Sequence, residues 1–91
     1  MAKIKTPANV IGAQVRKTRN GLGLTQEQLA ARCQLHGLDI SRGTLSQIEA
    51  QIRCVTDWEL SMLAIILRVA IDELYPAEIR KKLRRTSPVK K

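Results

Sequence analysis

Aromatic side chains are nearly missing from this sequence: 91 residues contain one Trp, one Tyr and no Phe. A core without Phe must be built from Leu, Ile, Val and Ala, which suits closely packed helices. The same scarcity argues against a platform for single-stranded nucleic acid, where bases need several aromatic faces to stack on. Histidine and cysteine are almost as scarce. One His and two Cys cannot supply the four ligands of a zinc site, so no metal and no cofactor is expected. Nor is there a nucleophile–base pairing, a glycine-rich phosphate loop or a carboxylate cluster with metal spacing, which argues against an enzyme. No apolar run reaches membrane-spanning length, and the N-terminus has no signal-peptide pattern. The expectation is a cytoplasmic chain in which Cys33 and Cys54 stay reduced.

What is present is a small globular composition with an excess of positive charge. Hydrophobic residues make up 44% and charged residues 26%, with a formal net charge of +8. A chain of this size forms one domain, and helix-on-helix packing is the economical way to give it a core. The charge is unevenly placed. Residues 1–75 hold nine Lys/Arg against seven Asp/Glu, whereas residues 76–91 hold seven against one. The body is therefore only mildly basic, and the expected organisation is an N-terminal arm (1–8), a helical domain (9–75) and a basic tail (76–91). The tail segment 80–85 either contacts phosphates or keeps the chain soluble.

Hydrophobic spacing and caps predict an all-α, compact bundle of about five short helices. Asn9 is placed to cap a first helix, with Ile11 and Val15 on one face and Gly21-Leu22-Gly23 as its stop. Arg19 falls on that same apolar face. Thr25 and Gln28 have the spacing of a capping box for a second helix, whose inward side is Leu29, Ala30 and Cys33. The stretch 34–40 is either a further turn of that helix up to Gly37 or a true loop. Ser41 caps a third helix, 41–50, with Leu45, Ile48 and Ile52 sharing one side. Glu49 falls among them, a second charge on an apolar stripe. Thr56 and Glu59 form another capping box, opening a fourth helix that is apolar nearly all round. Trp58, at its start, is placed either to anchor a partner or to pack against a short element at 71–75, and the packing role is the expectation. Residues 77–85 could extend as a helix, with 86–91 frayed.

The outward side of the third helix carries Arg42, Thr44, Ser46 and Gln47, with Gly43 and Ala50 permitting close approach. A major groove accepts one helix and presents a distinct donor–acceptor pattern for each base pair. Arg can bond guanine, and Gln adenine, through two hydrogen bonds. Taken alone, this face could equally be an ordinary solvated one.

The combination of Leu22-Gly-Leu-Thr-Gln-Glu-Gln-Leu-Ala30 with Ser41-Arg-Gly-Thr-Leu-Ser-Gln-Ile-Glu49 is more specific. It resembles the lambda-repressor-like (Xre/Cro) helix-turn-helix domains, and the likeness covers about Asn9 to Tyr75, including Val69-Ala-Ile-Asp-Glu-Leu74. The resemblance implies a regulator of transcription, of repressor type, that binds double-stranded DNA. It implies base contacts from Arg42, Gly43, Thr44 and Gln47, and phosphate contacts from Gln26, Thr25, Ser41 and Arg53. It further implies that Arg19 and Glu49 form a structural buried ion pair. A homodimer on a palindromic site is expected, built from 72–75, the tail or the loop 52–55, in a bacterial or phage-type setting. The same fold also serves as a protein-interaction module, in an antitoxin or adaptor, with DNA binding secondary or absent.

Three departures from the pattern stand out. The connection between helices two and three is about five residues longer than usual. Gly43 brings no side chain to a base-reading position. Arg68 and Ala70 stand where a glycine stop and a serine cap are expected.

Overall fold

The computed structural model describes residues 6–85, which form five α-helices and one 3₁₀ turn, with no strand among them. Helix α1 spans Gly12–Gly21, α2 Gln26–Leu35, α3 Arg42–Glu49, α4 Asp57–Leu67 and α5 Ala77–Arg85, and the 3₁₀ turn Ile71–Leu74 lies between α4 and α5. The all-helical architecture is the one expected. Residues 86–91, read as frayed, and 1–5 of the arm lie outside the described residues.

One aliphatic core joins all but the last of these elements. Ile11 and Val15 come from the start of the chain, Leu29 and Cys33 from α2, Leu45 and Ile48 from α3, Leu63, Ala64, Ile66 and Leu67 from α4, and Leu74 from the 3₁₀ turn. Burial pushes the Cys33 thiol up to about 11, so it stays neutral and acts as a small apolar residue, while Cys54 is exposed. Tyr75 packs on the margin of the core, and no aromatic ring is inside it.

The helix starts follow the sequence closely. Thr25 accepts from the Gln28 N–H, and the Gln28 side chain accepts in return from the Thr25 N–H. Thr56 and Glu59 exchange the same two bonds, and Ser41 accepts from the Thr44 N–H. Each cap satisfies first-turn donors that have no partner inside the helix. The cap position of α1 is Ile11 rather than Asn9. Asn9, two residues earlier, accepts through its Oδ1 from Ile11 and Gly12, while its Nδ2 donates to the carbonyls of Ile48 and Arg53.

The helix ends obey one rule with two kinds of residue. After α1, Gly23 has φ +73°, and the N–H of Leu24 returns to the Arg19 carbonyl at 3.1 Å. After α2, Gly37 has φ +80°, and the Leu38 N–H returns to Cys33 at 2.8 Å. These are left-handed stops closed by a six-to-one hydrogen bond. They resolve the long connection: α2 continues through Leu35, Gly37 ends it, and 38–41 run on to Ser41. Leu38 and Ile40 from that connection are buried in the core, and Gln34 Nε2 holds the Ile40 carbonyl. After α3 and α4 the same stop is made without glycine, by Gln51 (φ 64°) and Arg68 (φ 61°), with returning bonds Ile52 to Gln47 and Val69 to Ala64. The α4 boundary, where Arg68 stands in place of the expected glycine, is thus a closed stop.

Three side chains lie elsewhere than the pattern suggested. Ile52 is 70% exposed, because the left-handed turn at Gln51 takes it off the face of α3. Trp58 is 62% and Ile65 59% exposed, so α4 is not buried all round and Trp58 does not pack under the 3₁₀ turn.

Gly12 is the tightest point of the fold. A Cβ there would collide with the Ile48 carbonyl and press on Gln51 and Asn9. Two stability changes of opposite sign follow. Gly12→Ala should force α1 off α3 and cost about 1–3 kcal/mol, read as a lower denaturation midpoint. Arg68→Gly should stabilise the fold by up to about 1 kcal/mol, read as a higher midpoint, since a non-glycine residue in this region carries strain of roughly 1–2 kcal/mol, partly offset by the greater freedom of glycine in the unfolded chain.

Candidate nucleic-acid interface

Helix α3 has only eight residues, too few to hold itself as an isolated helix in water. Its shape and direction come from what it is attached to. Leu45 and Ile48 are buried in the core, and Glu49, on the same side, enters an ion pair. The Arg19 Nε donates to Glu49 Oε2 at 2.7 Å and Arg19 Nη2 to Oε1 at 2.9 Å, a two-pronged pair between α1 and α3. Arg19 Nη1 also donates to the Leu24 carbonyl at 2.7 Å, just before α2. Glu49 Oε1 accepts a further bond, 3.0 Å, from Gln26 Nε2 in the first turn of α2. The hydrogen bonds to Glu49 raise the Arg19 pKa above its already high ordinary value, so the guanidinium stays charged. The two charges flagged on apolar stripes are therefore one polar node joining three helices.

A second set of bonds fixes the far end of α3. The Ala8 N–H donates to the Gln51 carbonyl, and Gln51 Nε2 donates to the Asn9 carbonyl, both at 3.0 Å. With Asn9 Nδ2 on the Ile48 carbonyl, the segment 8–9 grips the C-terminal stop of α3. Residue 8, placed in the arm by the sequence pattern, is thus tied to the folded body, and Asn9 also clasps α3.

Pinned on that inward side, α3 turns Arg42, Gly43, Ser46, Gln47 and Ala50 outward, all exposed. Thr44 is half-buried, and its hydroxyl accepts from Ser41 Oγ at 3.2 Å, so the pair is already occupied within the cap. Two open concavities flank the helix. One is lined by Arg19, Asn20, the stretch 23–27 and Arg42, and includes the N-terminus of α2 with Thr25 and Gln26. The other is lined by Arg16, Arg19, Gln26, Ser46, Glu49 and Ala50. Helix N-termini present unpaired N–H groups and a positive dipole end to anions.

The structure brings Thr25, Gln26 and Arg42 together around one concavity, while Gly43 and Gln47 are exposed on α3 and Ser41 and Thr44 are joined in its cap. Arg53 is differently engaged. Its Nη1 and Nη2 hold the two oxygens of Glu59 at 3.0 Å each, and Nη1 also holds the Cys54 carbonyl. This pair keeps the Glu59 carboxyl below the usual carboxylate range, helped by the Thr56 N–H, and raises the Arg53 pKa. It braces the start of α4, and Arg53 reaches a phosphate only by sharing its fork with Glu59. Arg16 is the basic residue that sequence reasoning passed over. It is exposed and borders the second concavity beside Ser46. Its position on the outer side of α1, one turn before Arg19, was the available signal.

Among the described residues no group of three or more His, Cys, Asp or Glu could hold a metal ion, and no helix is long and apolar enough to cross a membrane.

The node makes a direct prediction. Glu49→Ala leaves the Arg19 guanidinium buried without its counter-charge and should cost about 3–5 kcal/mol, visible as a sharp drop in melting temperature. A melting temperature equal to that of the unaltered chain would mean that the pair is not what fixes α3.

A helix-turn-helix family model matches residues 15–74. Among solved structures, the chain is similar to a hypothetical transcription factor, NHTF, from Neisseria. The two share 29% identity, with 91% of this chain and 94% of that one covered and a TM-score of 0.66. Comparison with curated proteins gives no match. The family match spans α2, α3 and the Arg19–Glu49 pair that joins them to α1. The chain belongs to the lambda-repressor-like helix-turn-helix family of DNA-binding transcription regulators.

Proposed function

We propose that this protein is a repressor-type regulator that recognises a specific double-stranded DNA site, with α3 in the major groove. The observation that carries this reading is the polarity of α3. Every buried contact and its one carboxylate lie on the inner side, and the outer side is free, polar and small. Arg42 and Gln47 are the side chains long enough to reach base edges with two hydrogen bonds each. Each such contact discriminates by about 1–3 kcal/mol. The Thr44 methyl suits a thymine methyl, its hydroxyl being engaged by Ser41. Gly43 serves by what it lacks: with no side chain there, the backbone of α3 can sit close to the groove floor.

Phosphates on one flank would meet the first turn of α2. The N–H groups behind Thr25 offer donors there, and Gln26 is held in place by Glu49. On the other flank Arg16 stands beside Ser46. Ser41 contributes through the N-terminus of α3, its hydroxyl being used in the cap. Arg53 adds to this set only when it shares its pair with Glu59. The basic α5, with Lys81, Lys82 and Arg84 exposed, extends the positive surface. A chain with these features acts in the cytoplasm of a bacterial or phage-bearing cell and performs no catalysis.

Replacing Arg42 and Gln47 together by Ala tests the reading. Binding to a selected site should fall to the level of random DNA, while weaker, salt-sensitive binding to random DNA persists. Equal loss on both DNAs would contradict base readout by these residues. No loss on either would favour the protein-interaction role of the same fold. A log–log salt plot separates the phosphate contacts, each loss flattening the slope by about 0.9.

A further inference from the structure

Helix α4 carries two large apolar side chains, Trp58 and Ile65, that nothing among the described residues covers. Its inner side, Leu63, Ala64 and Leu67, is buried in the core. On the other side, Trp58 and Ile65 recur at helical spacing, 62% and 59% exposed, and half-buried Met62 between them connects this side to the core it packs against. Ser61 lies between them, and its hydroxyl is satisfied within the helix by the Asp57 carbonyl at 2.9 Å. The stripe therefore has no unmet polar demand and can be dried. Opposite charges stand at its two ends: Asp57 opens the helix and Arg68 closes it. Both are exposed, and neither enters an ion pair among the described residues.

We infer that this face of α4 is the surface by which two copies of the chain associate, packed antiparallel about a two-fold axis. The charge order selects the occupant and its direction. An antiparallel second copy brings Asp57 of each chain towards Arg68 of the other at both ends, over a shared apolar centre. A parallel approach would set like charges together. A patch that is complementary to itself only when reversed is what an isologous contact requires. Trp58 is the anchor, because a Trp removed from water at an interface contributes more than any other side chain here. From Trp58 to Ile65 the stripe is only about 10 Å long. The interface thus falls at the small end of specific contacts, and the dimer dissociates on dilution in the range of about 1–100 μM.

Trp58 is the only Trp of the chain, so its emission reports on this face alone. The full chain, without DNA, is followed by sedimentation and by Trp emission from about 200 μM to about 1 μM. The expected result is a dimer at the top of the range. Its emission is blue-shifted and moves to the red on dilution, with the midpoint that sedimentation gives. Ile65→Asp should remain monomeric throughout with its helical circular dichroism intact. Arg68→Asp should weaken association at least about tenfold, and adding Asp57→Lys should restore it. A chain that is monomeric across the range overturns the proposal, as does a dimer whose Trp58 emission stays red. So does an Ile65→Asp variant that associates as before. A folded double charge variant that fails to regain association overturns the antiparallel arrangement. None of these measurements involves DNA, so their failure leaves the reading of α3 standing and its failure leaves them standing.

Discussion

The fold turns on one buried ion pair. Arg19 and Glu49 meet in a fork geometry where three helices converge; Arg19 also donates to the Leu24 carbonyl, and Glu49 also accepts from Gln26. Two charges taken from water gain little net stability from each other, and an apolar replacement of the same shape can be as stable. What the pair supplies is direction. Aliphatic contacts at Leu45 and Ile48 are indifferent to small rotations of α3, but a two-pronged carboxylate–guanidinium pair is not. Because Glu49 also holds Gln26, the same carboxylate sets α3 and the first turn of α2 relative to each other.

The opposite end of α3 is fixed by backbone chemistry. Gln51 takes the left-handed conformation that would suit glycine, and glycine would remove the amide that reaches the Asn9 carbonyl. The strain at Gln51 is offset by that contact, whereas Arg68 carries similar strain with no partner among the described residues. Gly12 belongs to the same arrangement. Only a residue without a side chain lets α1 come close enough for Asn9 to reach Ile48 and Arg53. A short helix is thus held by an ion pair at one place and by a clasp of Ala8 and Asn9 on Ile48 and Gln51 at another.

Local signals in the sequence were sound where the physics is local. Both capping boxes, the Ser41 cap and the glycine stops involve neighbours within a few residues, and all are present. The Arg19–Glu49 pair spans thirty positions, yet two charges on apolar stripes and the family resemblance together located it. Other features carried no periodic mark. Gly12 looked like one more helix residue, since its role depends on a carbonyl from another helix. Asn9 was read as a cap, a position that Ile11 takes, and was not legible as a clasp. Arg53 looked free because its partner, Glu59, was already assigned to a capping box, and the carboxylate does both. The apolar pattern of α4 does not reveal that Trp58 and Ile65 stay exposed, because hydropathy counts apolar residues without knowing how many sides of α4 the small core can cover.

The outer surface of α3 makes sense in the light of these constraints. A helix held this firmly has no need of large side chains to reach out, and its outward positions are mostly Gly, Ser and Ala, with Arg42 and Gln47 as the long exceptions. Close approach of the backbone then depends on the angle at which the helix is presented. That angle is set by groups behind it: Arg19 on α1, the clasp at 8–9, and the stop at Gly37, which lets Leu38 and Ile40 pack under the connection. The unusual length between α2 and α3 is accommodated without loosening α3, because the extra residues either continue α2 or enter the core. On the reading proposed for α3, discrimination by few side chains needs a rigid mount, and the polar node and the clasp together make one.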